Sequence, residues 1–390
     1  MHRAIFAILA ALCLAQSALA DGGKVKVGFV DTFSGPNAFI GNDKKDGFEL
    51  ALTHLGRAMG GVPVEMSYED DQMKPDVGKQ ATEKLIQVQK VDFLTGYNWS
   101  NILLASLKPA VDSKTFLISA NAGPSQIAGE LCSPYFFSTG FQNDQTPMAM
   151  GETLNNRGVK KLYILAPNYA AGKDMAAGVK ATFKGEVIGE EYTRWPGQVD
   201  FSTELSKVRA AKPDAIWAFY PGQAGAQFMQ QYSQSGLKDS VPFLSSFTVD
   251  ALTLPQMKET ALGHLSNQEW VADLPNAANT RFVADFRKTY GHYPSFYAAQ
   301  AYDAAMLMNS AAVALKGDLS DKDKVRDALR KADFKSVRGE FKFNNNQMPI
   351  QNYYLQEVVK DSGGEFTMHS LGAVTTMTKD PYGAKCPMSW

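Results

Sequence analysis

The chain has 390 residues, of which 45% are hydrophobic and 20% are charged, as in an ordinary globular protein that could hold two domains. Its 39 basic and 40 acidic residues give a net charge of −1, and the basic residues are scattered, so the composition lacks the basic surface typical of nucleic-acid binding. Beyond residue 20, no segment is long and apolar enough to suggest a membrane span.

The start of the chain has the pattern of a cleavable secretion signal. A short basic start precedes an apolar stretch over residues 4–14, and residues 18–20 supply the small side chains that a signal peptidase requires. We therefore expect residues 1–20 to be a signal peptide and the mature protein to work outside the cytoplasm. A short membrane anchor is the alternative, but the apolar stretch is well below the roughly 20 residues that span a bilayer. A lipid anchor at Cys13 is disfavoured because a small residue should precede it and Leu12 stands there.

The remaining sequence alternates between short apolar runs and stretches of helical periodicity. The apolar runs mostly lack polar alternation, which is typical of parallel strands covered on both faces. This order predicts an α/β fold with parallel sheets, in two series that meet near Phe141. The predicted strands are 25–30, 62–68, 93–96, 116–119, 161–166, 215–220 and 243–245. The predicted helices are 42–55, 77–89, 102–111, 146–156, 173–183, 201–211, 225–235, 280–290, 298–315 and 322–331.

The last third of the chain has a different pattern. The helical block 280–331 has no strand series of its own, so we expect it to complete the two earlier domains. A hairpin is predicted after it, with strands over 339–343 and 353–359 and a turn at the three asparagines between them.

Two cysteines, Cys132 and Cys386, remain once the signal is removed. In an oxidising compartment an even pair is most simply a disulfide, and two free thiols are the alternative. No spacing of cysteine and histidine resembles a metal site, so no metal and no cofactor is expected.

Ligands of open parallel sheets bind at the carboxyl ends of strands, and two such ends here have unusual sequences. Ser100 follows the strand 93–96, where it could cap the next helix and create an anion or carboxylate site. The segment 119–125 follows the next strand, and its small residues would let a ligand approach the backbone. A plain helix cap and an ordinary strand-to-helix connection are the structural alternatives.

Aromatic residues follow strands in both halves of the chain. Tyr97 and Trp99 lie in the first half, and Tyr169, Tyr220 and Phe247 lie in the second. Aromatic walls with a few polar groups are typical of small-molecule pockets. Each ring taken alone is more often a core residue than a pocket residue, so the prediction depends on their shared position at strand ends.

These features together resemble a known family, the periplasmic solute-binding proteins of ABC transporters, in the branched-chain amino acid (leucine/isoleucine/valine-binding) group with the type I binding-protein fold. The resemblance covers nearly the whole mature chain. The segments that carry it are 34–36 with Gly41, 68–71, 118–122, 168–172, 200–202 and 302–304.

The resemblance implies two Rossmann-like lobes joined by three hinge crossings, with the ligand held in the cleft between them. Lobe 1 is expected over 24–141 plus 270–338, and lobe 2 over 142–269 plus 339–390. The late helical block would thus return to the first lobe.

The resemblance also implies roles for site residues. Ser100 matches a serine that holds the ligand carboxylate, Gly123 stands where amino acid binders have a threonine, and Tyr220 matches an aromatic position. Phe247 stands where those proteins have an acid that pairs with the ligand ammonium, although Asp250 could replace that acid. The predicted ligand-binding residues are Tyr97, Asn98, Trp99, Ser100, Asn121, Ala122, Gly123, Tyr169, Tyr220 and Phe247.

The loss of an acid at Phe247 favours a ligand without an α-amine, because a buried ammonium without a partner would cost several kcal/mol. We therefore expect a small aromatic or hydrophobic carboxylic acid, with an amino acid as the alternative. The expected role is a non-enzymatic binding protein of the periplasm that acts as a monomer and delivers its ligand to an ABC permease in the inner membrane. A ligand-sensing partner of a membrane receptor is a second possibility. A secreted hydrolase is disfavoured because no Gly-x-Ser-x-Gly elbow or metal signature is present.

Overall fold

A computed structural model describes residues 23–388 and contains two twisted sheets, each covered by helices. The predicted signal peptide, residues 1–20, lies outside the described residues. The first sheet has the strand order β2-β3-β1-β4-β5-β6, and its pairs are parallel except for β2 with β3. Its strands are β1 (Val25–Asp31), β2 (Ala58–Met59), β3 (Val62–Asp70), β4 (Phe93–Gly96), β5 (Phe116–Ser119) and β6 (Phe136–Ser138).

The second sheet has the order β12-β13-β11-β10-β9-β7-β8, with β14 paired to β13. The pairs among β7 to β11 are parallel, whereas β13 runs antiparallel to β11, β12 and β14. Its strands are β7 (Lys161–Pro167), β8 (Glu186–Thr193), β9 (Ala215–Ala218), β10 (Phe243–Ser246), β11 (Leu265–Gln268), β12 (Lys342–Phe343), β13 (Pro349–Lys360) and β14 (Phe366–Thr378).

The helices fill the connections between the strands. Those of the first half are α1 (Ala38–His54), α2 (Pro75–Lys84), α3 (Ser100–Asp112) and α4 (Ser125–Ala128). Those that follow are α5 (Gln145–Asn156), α6 (Ala170–Thr182), α7 (Ser202–Ala211), α8 (Gln223–Gln234), α9 (Leu254–Met257), α10 (Ala277–Tyr290), α11 (Phe296–Ala314) and α12 (Lys322–Lys331). The α/β class with two lobes of mainly parallel sheet is therefore confirmed.

The late helices return to the first sheet, because α10 and α11 pack against α1 and α12 packs against α11. The contact between α1 and α11 needs a glycine. A Cβ atom at Gly47 would come within 2.2 Å of the carbonyl oxygen of Ala298, so any larger residue would push the two helices apart.

All seven predicted strands are present, and the segments 93–96 and 116–119 were predicted with the observed ends. Strands β2, β6, β8, β11 and β14 were missed, for two physical reasons. Strands β2, β6 and β11 have only two to four residues, and β8 and β14 are half-exposed edge strands whose polar residues break any apolar run.

The chain passes between the sheets three times, over residues 139–144, 269–276 and 332–341, and one side chain joins two of these crossings. Arg338 donates to the carbonyl oxygens of Thr139 (2.6 Å) and Gly140 (3.0 Å) in the first crossing. Its guanidinium also pairs with Asp303 on α11 (3.1 Å) and donates to Gln351 on β13 (2.7 Å). Arg338 therefore links the helices of the first lobe to the sheet of the second.

A disulfide joins Cys132 and Cys386, as the sequence predicted, with a Cα–Cα distance of 5.6 Å. It ties the segment between α4 and β6 to the C-terminal tail. Nearby, the hydroxyl of Tyr382 donates to Asp144 (2.7 Å), so the tail is also fixed to the start of α5.

Candidate ligand-binding cleft

The carboxyl ends of strands from both sheets meet around a narrow, partly open cavity. The loops after β4 and β5 form one side, and the loops after β7, β9 and β10 form the other. The first hinge crossing and the start of α11 close the back. The lining residues are Asn98, Trp99, Ser100, Asn121, Ala122, Phe141, Asn143, Tyr169, Ala171, Met175, Phe219, Pro221, Phe247, Phe296 and Tyr297.

The wall formed by the first lobe is polar and centres on Ser100. Its hydroxyl oxygen accepts a hydrogen bond from the side-chain amide of Asn143 (3.1 Å), so the hydroxyl hydrogen remains free to donate. Asn143 in turn accepts from the backbone N–H of Gly123 (3.2 Å). The side-chain amide of Asn121 donates to the backbone carbonyl of Asn98 (2.9 Å), which holds the two neighbouring loops together.

The predicted capping role of Ser100 is wrong. Trp99 occupies the cap position with no side-chain cap, and Ser100 is the first residue of α3. The first backbone N–H group of α3 that donates to a backbone carbonyl is that of Ile102, and its acceptor is Trp99 (3.0 Å). Among the described residues, the N–H groups of Ser100 and Asn101 have no acceptor, so they are available at the positive end of the helix dipole.

The wall formed by the second lobe is aromatic. Phe247 stacks on Phe141 of the first hinge crossing, with ring centroids 4.4 Å apart and an interplanar angle of 18°. Its ring centroid also lies 4.9 Å from that of Phe296 at the start of α11. Its backbone φ of +57° is unusual for a bulky residue. The ring contacts on both sides hold Phe247 in this conformation.

A second aromatic group joins the two lobes over the cleft. Trp195 follows β8 in the second lobe and stacks on Tyr169, with centroids 4.5 Å apart. The ring of Trp195 also contacts that of Trp99 in the first lobe, with ring centroids 5.1 Å apart. Sequence reasoning missed Trp195 because β8 itself was missed.

A buried chain of hydrogen bonds holds the side chain of Trp99 in place. Its indole N–H donates to Thr32 (2.8 Å), and the Thr32 hydroxyl donates to Asp71 (2.6 Å). Burial and the neighbouring charge of Asp31 together raise the pKa of Asp71 to about 7. Asp31 itself pairs with Lys44 at 2.7 Å, and both side chains are fully buried. This network sets the orientation of Trp99 in the wall of the cleft.

None of the lining residues, all within the described part of the chain, has a charged side chain. Asp250, the predicted substitute for an acid, is outside the lining. One of its oxygens accepts from the N–H groups of Leu252 (2.8 Å) and Thr253 (3.0 Å). Burial raises its pKa to about 6, against the lowering effect of these bonds. One oxygen of the Asp250 carboxylate is thus used within its own loop, and the other has no donor among the described residues.

Seven of the ten predicted site residues line the cavity, and Tyr97, Gly123 and Tyr220 do not. The hydroxyl of Tyr97 bonds to Thr82 on α2 (2.9 Å), away from the cleft. Gly123 lies behind the wall, where a Cβ atom would come within 1.7 Å of the carbonyl oxygen of Phe141. Tyr220 packs between Phe201 and Phe228 in the core of the second lobe.

Eight lining residues were not predicted. Phe219 and Pro221 flank the predicted Tyr220, so the strand end was identified but not the residue that faces the cavity. Phe141 and Asn143 belong to the first hinge crossing, Phe296 and Tyr297 begin α11, and no strand end marks any of the four in the sequence. Ala171 and Met175 lie on the first turns of α6.

Within residues 23–388, no group of histidine, cysteine, aspartate and glutamate side chains could hold a metal ion. The same part of the chain has no helix long and apolar enough to cross a membrane.

A family match and a similar protein both relate this chain to known binding proteins. Residues 24–365 match the family described as periplasmic binding protein. The Leu/Ile/Val-binding protein homolog 6 of Brucella melitensis is 30% identical over 379 residues, which cover 94% of this chain and 95% of that protein.

Two solved structures are also similar. One is a solute-binding protein of an ABC transporter from R. palustris in complex with benzoate, with a TM-score of 0.88 and 31% identity over 94% of this chain and 100% of that one. The other is a solute-binding protein of an ABC transporter from Rhodopseudomonas palustris BisB5 in complex with 3,4-dihydroxybenzoic acid. Its TM-score is 0.84 and its identity 29%, over 92% of this chain and 99% of that one.

Proposed function

The chain belongs to the periplasmic binding protein family, and on that premise we propose that it captures an aromatic or hydrophobic carboxylic acid in the cleft described above. The family and the similar structures are those of solute-binding proteins. Benzoate and 3,4-dihydroxybenzoic acid are bound by two structural relatives. The uncharged, largely aromatic lining found here is compatible with an acid of this class.

The observation that carries the proposal is the absence of a charged side chain from the lining, within the described part of the chain. A bound α-amino acid would bury an ammonium group here, and an unpaired buried ammonium costs several kcal/mol. An aromatic acid has no such group. Its ring could pack against Phe247 and Phe219, with roughly 0.5–1.5 kcal/mol for each favourable ring pair.

The carboxylate of the ligand would lie at the polar wall. The free N–H groups of Ser100 and Asn101 and the Ser100 hydroxyl are donors at the positive end of a 13-residue helix. Hydrogen bonds to a charged group contribute roughly 1.5–3 kcal/mol each, so a few of them would compensate the loss of carboxylate hydration.

Capture would proceed by closure of two lobes, 24–141 plus 270–338 and 142–269 plus 339–390. The cavity wall contains side chains from both segments, so a bound ligand contacts both lobes at once. Such a ligand stabilises the closed state over the open one by its differential affinity. The ring contact of Trp99 with Trp195 is made across the same gap and favours the closed arrangement.

Residues 1–20 would direct the chain to the periplasm and then be cleaved. There the protein would act as a monomer and deliver its ligand to an ABC permease of the inner membrane. A role as a ligand-sensing partner of a membrane receptor would use the same cleft. Neighbouring genes for a permease and an ATPase would favour transport, and a neighbouring sensor kinase would favour sensing.

A branched-chain amino acid is the second candidate ligand, because one relative is named as a Leu/Ile/Val-binding protein homolog. This candidate requires an ammonium partner. One oxygen of Asp250 is bonded within its own loop and the other has no donor among the described residues, but Asp250 does not line the cavity, so its carboxylate would have to turn toward the cleft to act.

A calorimetric and thermal-shift screen of the purified mature protein tests the proposal, with benzoate, phenylacetate and cinnamate set against leucine and valine. Ligand at 100 times its Kd stabilises the folded state by roughly 2.7 kcal/mol, which is readily measured. We expect aromatic acids to bind and the aliphatic amino acids not to bind.

The variant Ser100→Ala tests the position of the carboxylate, and Ser206→Ala, an exposed serine on α7, is its control. We expect Ser100→Ala to weaken binding of the aromatic acid roughly 10- to 100-fold, as for a hydrogen bond to a charged group. Stabilisation by leucine or valine, without stabilisation by aromatic acids, would refute the proposal in favour of the second candidate.

A further inference from the structure

The loop between β1 and α1 ends in an asparagine that does not cap its own helix. Asn37 occupies the N-cap position of α1, where asparagine is preferred because its side-chain oxygen can accept from the first turn of the helix. The side chain of Asn37 makes no such bond. It reaches the second lobe instead, where its oxygen accepts from the backbone N–H of Gln223 (3.0 Å).

The partner of Asn37 is the start of α8, a 12-residue helix whose first residue is Gln223. The cap position of α8 belongs to Gly222, which has no side chain to satisfy the N–H groups of the first turn. Asn37 therefore supplies, from the first lobe, the cap that α8 lacks in its own sequence. The amide nitrogen of Asn37 donates to the sulfur of Met73 (3.3 Å), which keeps the side-chain oxygen directed at Gln223.

The contact is tightly packed as well as hydrogen-bonded. Asn37 is only 9% exposed. A Cβ atom at Gly222 would collide with Asn37 Oδ1 and come within 3.1 Å of Ile40 Cδ1. Both of these neighbours belong to the first lobe, so a larger residue at position 222 is obstructed only while the lobes are closed. The backbone φ of Gly222 is +67°, which glycine adopts without strain.

The contact bears on the ligand because it fixes the turn that carries two lining residues. Phe219 and Pro221 line the cavity, and Pro221 directly precedes Gly222. When the lobes separate, water would replace Asn37 at the N–H of Gln223, so the bond adds to the closed state only the modest net value of a neutral hydrogen bond. A bond that exists only in the closed state shifts the population towards it and so retains the ligand.

We propose that Asn37 is a positioning residue of the ligand site, which caps α8 across the cleft, holds the turn 219–222 against the ligand and slows ligand release. Gly222 is required because no larger residue fits beside Asn37 in the closed state. Neither residue is among those that line the cavity, so both act through the turn and not by contact with the ligand. The inference rests on the lobe closure of the proposed function, but not on the class of ligand.

Binding of benzoate to Asn37→Ala, Gly222→Ala and the double variant tests the inference, with affinities from isothermal titration and rates from stopped-flow tryptophan fluorescence. Asn37→Ala should weaken binding about fivefold, as for one neutral hydrogen bond, and mainly through faster dissociation because the bond forms after closure. Gly222→Ala should weaken binding about 30-fold, since its methyl group must also displace Asn37 from a packed contact. In the double variant that obstruction is absent, so binding should return to the level of Asn37→Ala alone.

Two control variants separate this effect from a general loss of stability. Asn155→Ala breaks hydrogen bonds with the carbonyl of Thr182 and the N–H of Lys184 (both 2.8 Å), which are backbone partners within the second lobe. Gly236→Ala places a methyl group at another positive φ, +74°, with no atom within 4 Å of it. Both controls should lower Tm and still bind benzoate as tightly as the unmodified protein.

The outcomes separate the two proposals. Unchanged affinity in Gly222→Ala, or a double variant that binds no better than Gly222→Ala, would overturn the inference and leave the proposed function intact. An unchanged dissociation rate in Asn37→Ala would also overturn it, and this result does not depend on whether Gly222→Ala folds. If leucine binds and the aromatic acids do not, the proposed ligand class fails, and the same variants titrated with leucine test the inference with the same expectations.

Discussion

Replacing Arg338 by methionine should destabilise the protein more than any loss of packing explains. Its guanidinium donates to two carbonyl oxygens of the first hinge crossing, to Gln351 on β13 and to Asp303 on α11. The side chains of Arg338 and Asp303 are 2% and 0% exposed. Methionine keeps most of the apolar stem of arginine and removes only the charge and the donors.

The expected size of the effect follows from the burial of Asp303. Removing one partner of a buried ion pair costs about 3–5 kcal/mol, because the other charge is left in a medium of low polarity. Asp303 would keep its hydrogen bonds from the hydroxyl of Ser336 (2.5 Å) and the N–H of Val337 (3.1 Å). Because these bonds still stabilise the carboxylate, we expect the free energy of unfolding to fall by about 3 kcal/mol rather than about 5 kcal/mol. The carbonyl of Thr139 would lose a donor as well.

The loss should depend on pH in a defined direction. Burial raises the pKa of Asp303, and Arg338 opposes that rise, so the pKa should be higher still in Arg338→Met. A carboxyl whose pKa is raised on folding binds its proton more tightly in the folded state, and stability then falls as pH rises through that pKa. The gap between the variant and the unmodified protein should therefore shrink as pH is lowered.

Urea unfolding followed by circular dichroism at a series of pH values, from neutral towards acid, measures both effects. Lys24→Met is the control, because it breaks an ion pair with Glu65 whose side chains are 56% and 37% exposed. A variant Arg338→Met that unfolds at the same urea concentration as the control would refute the argument. So would a gap that widens as pH falls.

Two further predictions concern the hinge and the tail. Burial raises the pKa of Glu269 to about 7, so the stability that its neutral form contributes is present at low pH and is lost as pH rises through about 7. Glu269→Gln, which can keep the hydrogen bond from Gln300, should flatten the fall of Tm with rising pH, and an unchanged slope in thermal melts would contradict this. The paired change Cys132→Ser with Cys386→Ser should cost on the order of 5 kcal/mol, because the disulfide closes a loop with a sequence separation of 254. A Tm that does not differ between this double variant and the oxidised protein would show that the tail is held by its other contacts alone.

Much of the fold could be predicted because its central strands are buried on both faces. The residues of β4 and β5 are fully buried, so each strand is a continuous apolar run with clear ends in the sequence. In β8, three of the eight residues are glutamates, only Thr193 is buried, and the strand lies at a sheet edge where polar side chains reach solvent. Such a strand is defined by its neighbour β7 rather than by its own sequence.

The site could be predicted in part, by the rule that ligands bind at the carboxyl ends of parallel strands. That rule finds Trp99, Ser100 and Phe247, which lie within a few residues of a strand end. It cannot find Phe141 or Tyr297, which are 156 residues apart in the chain and both line the cavity because the first hinge crossing and the start of α11 lie at its back. The hinge contribution depends on how the lobes are joined, and no local pattern in the sequence records it.

The two residues Tyr97 and Phe247 show why a strand end alone does not decide which side chain faces the cleft. Each directly follows a strand of its own sheet, β4 or β10, and each has a left-handed backbone, with φ of 59° and 57°. Such a conformation costs on the order of 1–3 kcal/mol for a bulky residue, so it persists only where surrounding contacts impose it. In the first lobe the turn directs the tyrosine to Thr82 on α2 and leaves Asn98 and Ser100 at the cleft. In the second lobe the same turn directs the phenylalanine into the cleft, against Phe141. One backbone device thus gives a polar wall on one side and an aromatic wall on the other, which is the arrangement that an aromatic acid with a carboxylate at one end requires.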